Sequence, residues 1–471
     1  MSNLWGVERV EAEAIIDGDR ETAIVFLMRL EARVRALEEQ LARSSRNSSL
    51  PPSQDPPSVA NRSSKRSGRG RGGQPGHPGA SRMQVPSERV DLVVEHWPER
   101  CRGCERLFAA DEQVEAEASR RHQVAELPEL AVTVTEHRLH AVGCACGTTT
   151  RAALPAGVTG SAFGPRLQAA VAALATRQRL SRRQIAELLD ELFGCPVSVG
   201  TIDAIIGRVG EALSDPYQEL RAALPAEPVV HADETGWALA GRRQWLWGGF
   251  TPALAVFALH QSRGQNAAKA LLGETPAGIV VSDRFGGYNH LAPERRQVCW
   301  AHLARDFQAV SDRQLPADRR LGRQLLKISQ AVFVAYDAYR AHQDPGRLAL
   351  EIEPAQQKLR ALLGPASRGR RQKTAGLARD LLKRWESLWL FVEHPDQVGP
   401  TNNHAERCLR PAVIKRKLSF GSSSEQGMRT TERLLTADGS CRLQHRSLFG
   451  YLTEALTAVN AGQPAPTLIP A

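Results

Sequence analysis

Val229-Val-His-Ala-Asp-Glu-Thr-Gly-Trp237, VVHADETGW, sets an apolar β-branched run directly against two adjacent acids. The run reads as a buried strand, and a buried strand that meets charge is either a cap or turn or the edge of a site. The sequence around it decides between these. PVVHAD, RQWLWGGF and LAVFALH read as three successive strands, QNAAKALLG as a helix, GIVVSD as a fourth strand, and VCW as a short strand leading into the helix AHLARDFQAV. Three strands, a helix and a fourth strand open a ribonuclease-H-like core. The helical crossover makes GIVVSD parallel to PVVHAD, so Asp233 and Asp283 leave neighbouring strands at the same end, where open α/β sheets place their sites.

Carboxylates held side by side raise each other's pKa unless a cation neutralises them, and Mg²⁺ or Mn²⁺ suits oxygen ligands and phosphate. A third acid from a later helix completes a two-metal site with ions about 3.5–4 Å apart. Glu406 in NNHAERCLRP is the candidate, on a helical face with Asn403, Arg407 and Arg410. Each acid alone has an ordinary reading as a turn, cap or solvated residue; the ordered set carries the argument. Glu234 alternates to the opposite side of the strand and is assigned a structural role. His231 falls on Asp233's side, either packed or orienting a ligand. His302 and Arg305 lie one turn apart in CWAHLARDF, where they could meet substrate phosphate; His302 is a candidate catalytic residue, and a Cys299/His302 metal pair has no partners to complete it. Arg407, Arg410, Lys415, Arg416 and Lys417, with Arg305, form a basic track near Glu406 suited to DNA.

The whole chain has 471 residues, 42% hydrophobic, and a net charge of +10, which permits several domains and favours a polyanionic partner. The first twenty residues include Glu8, Glu11, Glu13, Asp17 and Asp19, unlike a cationic signal peptide, and no apolar run reaches the roughly 18 residues that span a bilayer. A cytoplasmic, nucleoid-associated protein is expected. Residues 1–45 hold an N-terminal helix in which Leu27, Leu30, Val34, Leu37 and Leu41 alternate spacings of three and four, either a short coiled coil or one amphipathic helix packed on its own domain. Residues 46–90 read as a disordered Pro/Gly/Ser linker. From Arg43 to Arg82 there are eight Lys or Arg against one acid, Asp55, so this arm either grips phosphates without reading sequence or is a solvated spacer.

Eight cysteines are too few for a disulfide scaffold, and CRGC with CAC supplies four thiolates, Cys101, Cys104, Cys144 and Cys146, enough for one tetrahedral Zn²⁺ in a domain over 91–155. The alternative is four reduced thiols. The intervening LAVTVTEHRLHAV alternates like a strand, and Cys195, Cys408 and Cys441 read as packing residues. Residues 160–222 are helical; Ser181 and Ser198 stand at N-cap positions and Gly194-Cys195-Pro196 separates two helices, giving a helix-turn-helix or a plain helical hairpin. The catalytic domain is expected over 226–435, with a helical insertion at about 312–395 that includes the basic loop SRGRRQKTAG, and a C-terminal helical tail over 436–471.

HADETGW, VSDRFGGYN, QVCWAHLARDF and NNHAERCLRP, in this order, resemble the signature blocks of the insertion-sequence-66 transposases, a group of bacterial DDE transposases. NSSLPPSQD, GGQPGHPG and the paired cysteines resemble the same family's N-terminal region, and the likeness runs from about Glu21 to Leu456. The resemblance implies that Asp233, Asp283 and Glu406 are the DDE triad and that the four cysteines hold zinc. It further implies a transposase that binds the terminal inverted repeats of its element, cleaves DNA with divalent metal and joins the ends to target DNA. Expected partners are double-stranded DNA, further copies of the chain and small accessory transposition proteins. Two other functions fit the same residues: a catalytically decayed DNA-binding repressor, and a ribonuclease-H-like nuclease without strand transfer.

Overall fold

A computed structural model describes residues 20–41, 43–48, 84–109 and 121–470. The basic linker, apart from residues 46–48 and 84–90, lies outside the described residues. The chain divides into two compact units, Asn61–Thr133 and Met1–Ala60 with Val134–Ala471. In the smaller unit an antiparallel bridge between Arg100 and Leu107 closes a turn over Cys101–Cys104, and the Gln123 side chain clips both backbone groups of Val85.

Among its described residues the larger unit first forms α1 (Arg20–Leu41), on which Leu27, Leu30, Val34, Leu37 and Leu41 are all exposed. LAVTVTEHRLHAV does not become the strand its alternation suggests. Only its end joins a ladder, the hairpin of β1 (Ala141–Gly143) with β2 (Thr149–Arg151). Among the described residues the rest find no partner strand, and Leu130, Val132, Val134 and Leu139 are exposed.

Four helices follow: α2 (Pro165–Thr176), α3 (Arg182–Phe193), α4 (Val199–Ala212) and α5 (Ser214–Ala223). Local chemistry sets their ends. Ser181 and Gln184 form a reciprocal capping box, Gly194 ends α3 at φ 56°, and Ser198 caps α4 through the Thr201 N–H.

The chain then forms β3 (Val229–Leu239), β4 (Arg242–Phe250) and β5 (Ala255–His260), turning between the first two at Ala240-Gly241, both at positive φ as a two-residue hairpin requires. Helix α6 (Gln265–Leu272) crosses to β6 (Ile279–Ser282), and β7 (Arg296–Val298) follows. The sheet order is β5-β4-β3-β6-β7, with β3/β6 and β6/β7 parallel and the remaining pairs antiparallel. One expectation needs correction. The strand does not stop at the acids: β3 runs six residues beyond Asp233, because β4 continues to pair with it as far as Leu239↔Arg242. What stops is the parallel neighbour, whose last pair with β3 is His231↔Val281.

Helices cover both faces of the sheet. Val230, Ala232 and Val280 pack with α2 to α4 and with the late helices α13 (Glu425–Leu443) and α14 (Leu448–Asn460). Val229, Ile279 and Val281 face the other way, onto α7 (Trp300–Ser311) and the insertion, which comprises α8 (Pro316–His342), α9 (Pro345–Ser367), α10 (Gln372–Lys383) and the short α11 (Leu390–Glu393). Trp237, Phe250 and Phe257 receive Ala405, Leu409 and Ala412 of α12 (Asn403–Ser419). Odd-numbered residues of β3 and β6 therefore face α7, the insertion and, at Trp237, α12, and even-numbered ones face α2 to α4. No helix among the described residues is long and apolar enough to cross a membrane.

Candidate active site

The period of two fixes the acids. Asp233 and Asp283 each stand two residues past the last parallel pair, His231↔Val281, and share its parity, so both emerge on the face of α7 and the insertion. Asp233 accepts the Glu234 N–H at 2.9 Å; Asp283 accepts the Phe285 N–H at 2.9 Å, closing a turn straight after β6. That turn is held from below by Arg296, a buried guanidinium on β7. It donates to Ser282 Oγ (3.0 Å), to the carbonyls of Asp283 (2.7 Å) and Phe285 (3.1 Å), and to Asn289 Oδ1 (3.2 Å). Burial pulls the Arg296 pKa down to about 10, so it stays charged at neutral pH.

Glu406 lies in the first turn of α12, with Arg305 Nη2 at 3.2 Å and His302 Nε2 at 3.7 Å from its Oε1. Burial, reinforced by the Arg305 charge, holds His302 below its ordinary pKa, and its Nδ1 is buried without a partner among the described residues. Asp233 is pushed well above the usual carboxylate range, first by burial and then by the charges of Glu234, Asp283 and Glu406. Asp233 is thus close enough to feel both other acids, although Asp283 and Glu406 come from different elements on either side of the insertion.

Glu234 turns the other way. Its buried carboxylate accepts Tyr288 Oη at 2.7 Å, Arg263 Nε at 2.9 Å and Arg263 Nη2 at 2.8 Å, and its pKa is raised by burial and by Asp283. Tyr288 belongs to the loop after Asp283, so the second acid of VVHADETGW ties that loop to the sheet.

Sequence reasoning passed over Asn402. It is 1% exposed, donates Nδ2–H to the Ala232 carbonyl at 2.8 Å, pairs its Oδ1 with His231 Nδ1 at 3.1 Å, and sends its own N–H to Cys299 Sγ at 3.1 Å. Its carbonyl accepts the Glu406 N–H. Through its side chain to Asp233's strand and its backbone to Cys299 and Glu406, this one residue joins that strand, the start of α7 and the helix of Glu406. Burial, with His404 beside it, lowers His231 to about 4, so the ring is neutral and packed. Cys299, pushed up to about 11 by burial, is a neutral thiol that accepts the Asn402 N–H. An Asn ahead of a helix resembles an ordinary cap, so only the fold exposes this role.

The basic track divides. Arg407, Arg410 and Lys417 are exposed on α12. Arg416 instead donates to Thr235 Oγ1 (3.0 Å) and the Gly236 carbonyl, stitching α12 to β3, and Arg305 is engaged by Glu406. Lys415 is half-buried, and burial lowers it to about 8.

For metal, the donor set is the test. Carboxylates whose charges raise Asp233's pKa leave the site short of positive charge, which suits a hard divalent cation. Among the described residues no three His, Cys, Asp or Glu side chains converge closely enough to hold an ion, and Glu406 is paired with Arg305. Each cysteine pair sits on a tight turn. Backbone N–H groups of Gly103 and Cys104 lower Cys101, and Thr148 with Cys144 pulls Cys146 down to about 7, as thiolate ligands require.

Compared with known proteins, residues 160–430 match the Transposase IS66 family, and residues 7–83 match a family of unknown function. Among relatives in Sinorhizobium fredii (strain NBRC 101917 / NGR234), uncharacterized protein y4qI is 26% identical over 415 residues, 80% of this chain and 74% of its own length. Uncharacterized protein y4hP is 27% identical over 301 residues, 56% of this chain, and uncharacterized protein y4jO is 29% identical over 191 residues, 40% of this chain. The matches span about half the length of these last two, 54% of each.

Proposed function

This chain belongs to the Transposase IS66 family, and from that premise we propose that it is a DDE transposase whose triad is Asp233, Asp283 and Glu406 on a ribonuclease-H-like core. The observation that carries the reading is the pair of aspartates at one end of adjacent parallel strands, on one face, with Glu406 near enough to raise the pKa of Asp233.

Asp233 and Asp283 would hold Mg²⁺ or Mn²⁺ together with Glu406 once that carboxylate leaves Arg305. When bound, such ions supply Lewis acidity: they favour the ionised form of the attacking water or 3′-hydroxyl and neutralise the departing oxygen. The protein's own groups do the rest. Arg296 and the Glu234–Tyr288 pair keep the Asp283 turn in place, Asn402 fixes the helix of Glu406, and Arg305, released by Glu406, can donate to the scissile phosphate with His302 beside it. Arg407, Arg410 and Lys417 would track the DNA backbone away from the site. Hydrolysis and strand transfer are both in-line displacements at phosphorus, so one site serves transposon-end cleavage at the inverted repeats and joining to target DNA. Cys101, Cys104, Cys144 and Cys146 would hold one Zn²⁺ in a module over 91–155, and the exposed apolar row of α1 supports self-association as a coiled coil.

The test is nicking of duplex DNA carrying the element's ends with Mg²⁺ or Mn²⁺. Asp233→Asn, Asp283→Asn and Glu406→Gln should each abolish nicking and leave DNA binding intact; activity that survives any one of them breaks the triad.

A further inference from the structure

The insertion carries charge that the site above does not use. Asp318, 3% exposed in the first turn of α8, accepts Arg371 Nη1 at 2.7 Å and Thr374 Oγ1 at 2.9 Å, and Arg313 Nη1 lies 3.9 Å from its other oxygen. This one buried acid gathers the turn after α7, the start of α8 and the start of α10, and its charge is met by the two arginines it touches. Arg319 and Arg320 follow it directly, and Arg323 and Lys327 continue the row at helical i,i+4 spacing; all four are exposed. Across from them Arg368 and Arg370 are exposed in the loop before Arg371. Within residues 316–327 and 368–373 Asp318 is the sole acid, against eight Lys or Arg.

Two contacts say where this face leads. Asn47 Nδ2 donates to Asp312 Oδ2 at 3.1 Å and Gln314 Nε2 to Glu38 Oε2 at 3.1 Å, which brings the exposed Arg43 and Arg46, the start of the basic arm, beside it. At the other side α10 runs from Thr374 to Asp380, and Asp380 accepts Arg284 Nη1 at 2.8 Å, next to Asp283. Six helical residues rise about 9 Å. Helix α10 and the Arg284 side chain thus link the patch to the Asp283 turn.

We propose that this face of the insertion is a second DNA-binding surface, which grips the phosphate backbone of duplex DNA leading into the active site. Cations on a rigid helix with no exposed acid between Arg319 and Lys327 fit a polyanion and read no bases, so the contribution is uniform across sequences and strongly salt-dependent. The surface rests on the family's DNA binding and not on the triad. Its readout is binding rather than nicking, so failure of either proposal leaves the other standing.

The experiment measures affinity of the full chain for a duplex of arbitrary sequence across a series of salt concentrations. Arg319→Ala/Arg323→Ala is compared with Arg340→Ala/Arg347→Ala, which removes the same charge from exposed positions at the far end of the α8–α9 hairpin. The first pair should flatten the slope of log affinity against log salt by about 1.8, at about 0.9 per phosphate contact, and weaken binding at least about fivefold near 0.1 M salt. The second pair should change affinity less than about twofold. Unchanged binding in the first pair, or equal losses in both, overturns the proposal.

Discussion

Asn402→Ala tests whether the helix of Glu406 is held by one carboxamide. The substitution keeps the backbone N–H to Cys299 Sγ and removes both side-chain bonds, leaving the Ala232 carbonyl and His231 Nδ1 without their partner in a buried site. Each orphaned group costs about 1–3 kcal/mol, so the loss is about 2–6 kcal/mol, a large fraction of the roughly 5–15 kcal/mol that holds a domain together. At about 2 °C per kcal/mol for a unit of this size the melting temperature should fall by on the order of 5–10 °C. The catalytic effect should be larger than stability alone explains. Asn402's carbonyl receives the Glu406 N–H, and a shift of about 1 Å at a reacting group costs about 100-fold. Urea denaturation of Asn402→Ala, His231→Ala and the double variant gives their coupling energy, expected at about 1–3 kcal/mol, and nicking is measured below the onset of melting. Stability within about 0.5 kcal/mol of the parent, or no coupling to His231, would refute the brace.

The raised pKa of Asp233 makes a second prediction. A carboxyl raised on folding contributes stability while protonated and loses it as pH rises from the unfolded value toward the folded one, so without metal Asp233→Asn should melt above the parent at pH 7, the difference closing near about pH 4. Added Mg²⁺ should raise the parent's melting temperature and leave Asp233→Asn unmoved; a variant that melts lower than the parent at pH 7 contradicts the electrostatic account. For the cysteines, metal analysis should give about one zinc per chain, with zinc affinity weakening as pH falls through about 7 and protons compete for free Cys146; full occupancy in Cys146→Ser argues against the four-thiolate site. Arg416→Met should lower stability by about 1–3 kcal/mol, through the lost bonds to Thr235 and Gly236, with DNA affinity unchanged. A drop in affinity without a drop in stability would return Arg416 to the DNA track.

Much of the sheet and its helices is legible in the sequence because local signals agree there. The β-branched runs, the Ser181 and Ser198 caps and the Gly194 stop are near-neighbour chemistry, and they behave as expected. LAVTVTEHRLHAV fails for the complementary reason: alternation shows that a segment can be a strand, whereas pairing needs a neighbour that lies elsewhere. The same limit explains the basic run on α12. Charge identifies Arg416 as a cation, but whether it meets DNA or the Gly236 carbonyl depends on the distance from α12 to β3.

By itself the sequence determined the parity of VVHADETGW. A period of two puts Asp233 and Glu234 on opposite faces wherever the strand lies, so one acid faces the site and the other the loop support. Only the tertiary structure decided what each acid meets: Glu406 against Arg305, 101 residues apart in sequence, Glu234 against Tyr288, and Asn402 against Ala232 across 170 residues. Periodicity is a property of the backbone and survives without knowledge of the fold, whereas a hydrogen bond between distant residues depends on how whole elements pack, and no local pattern records that.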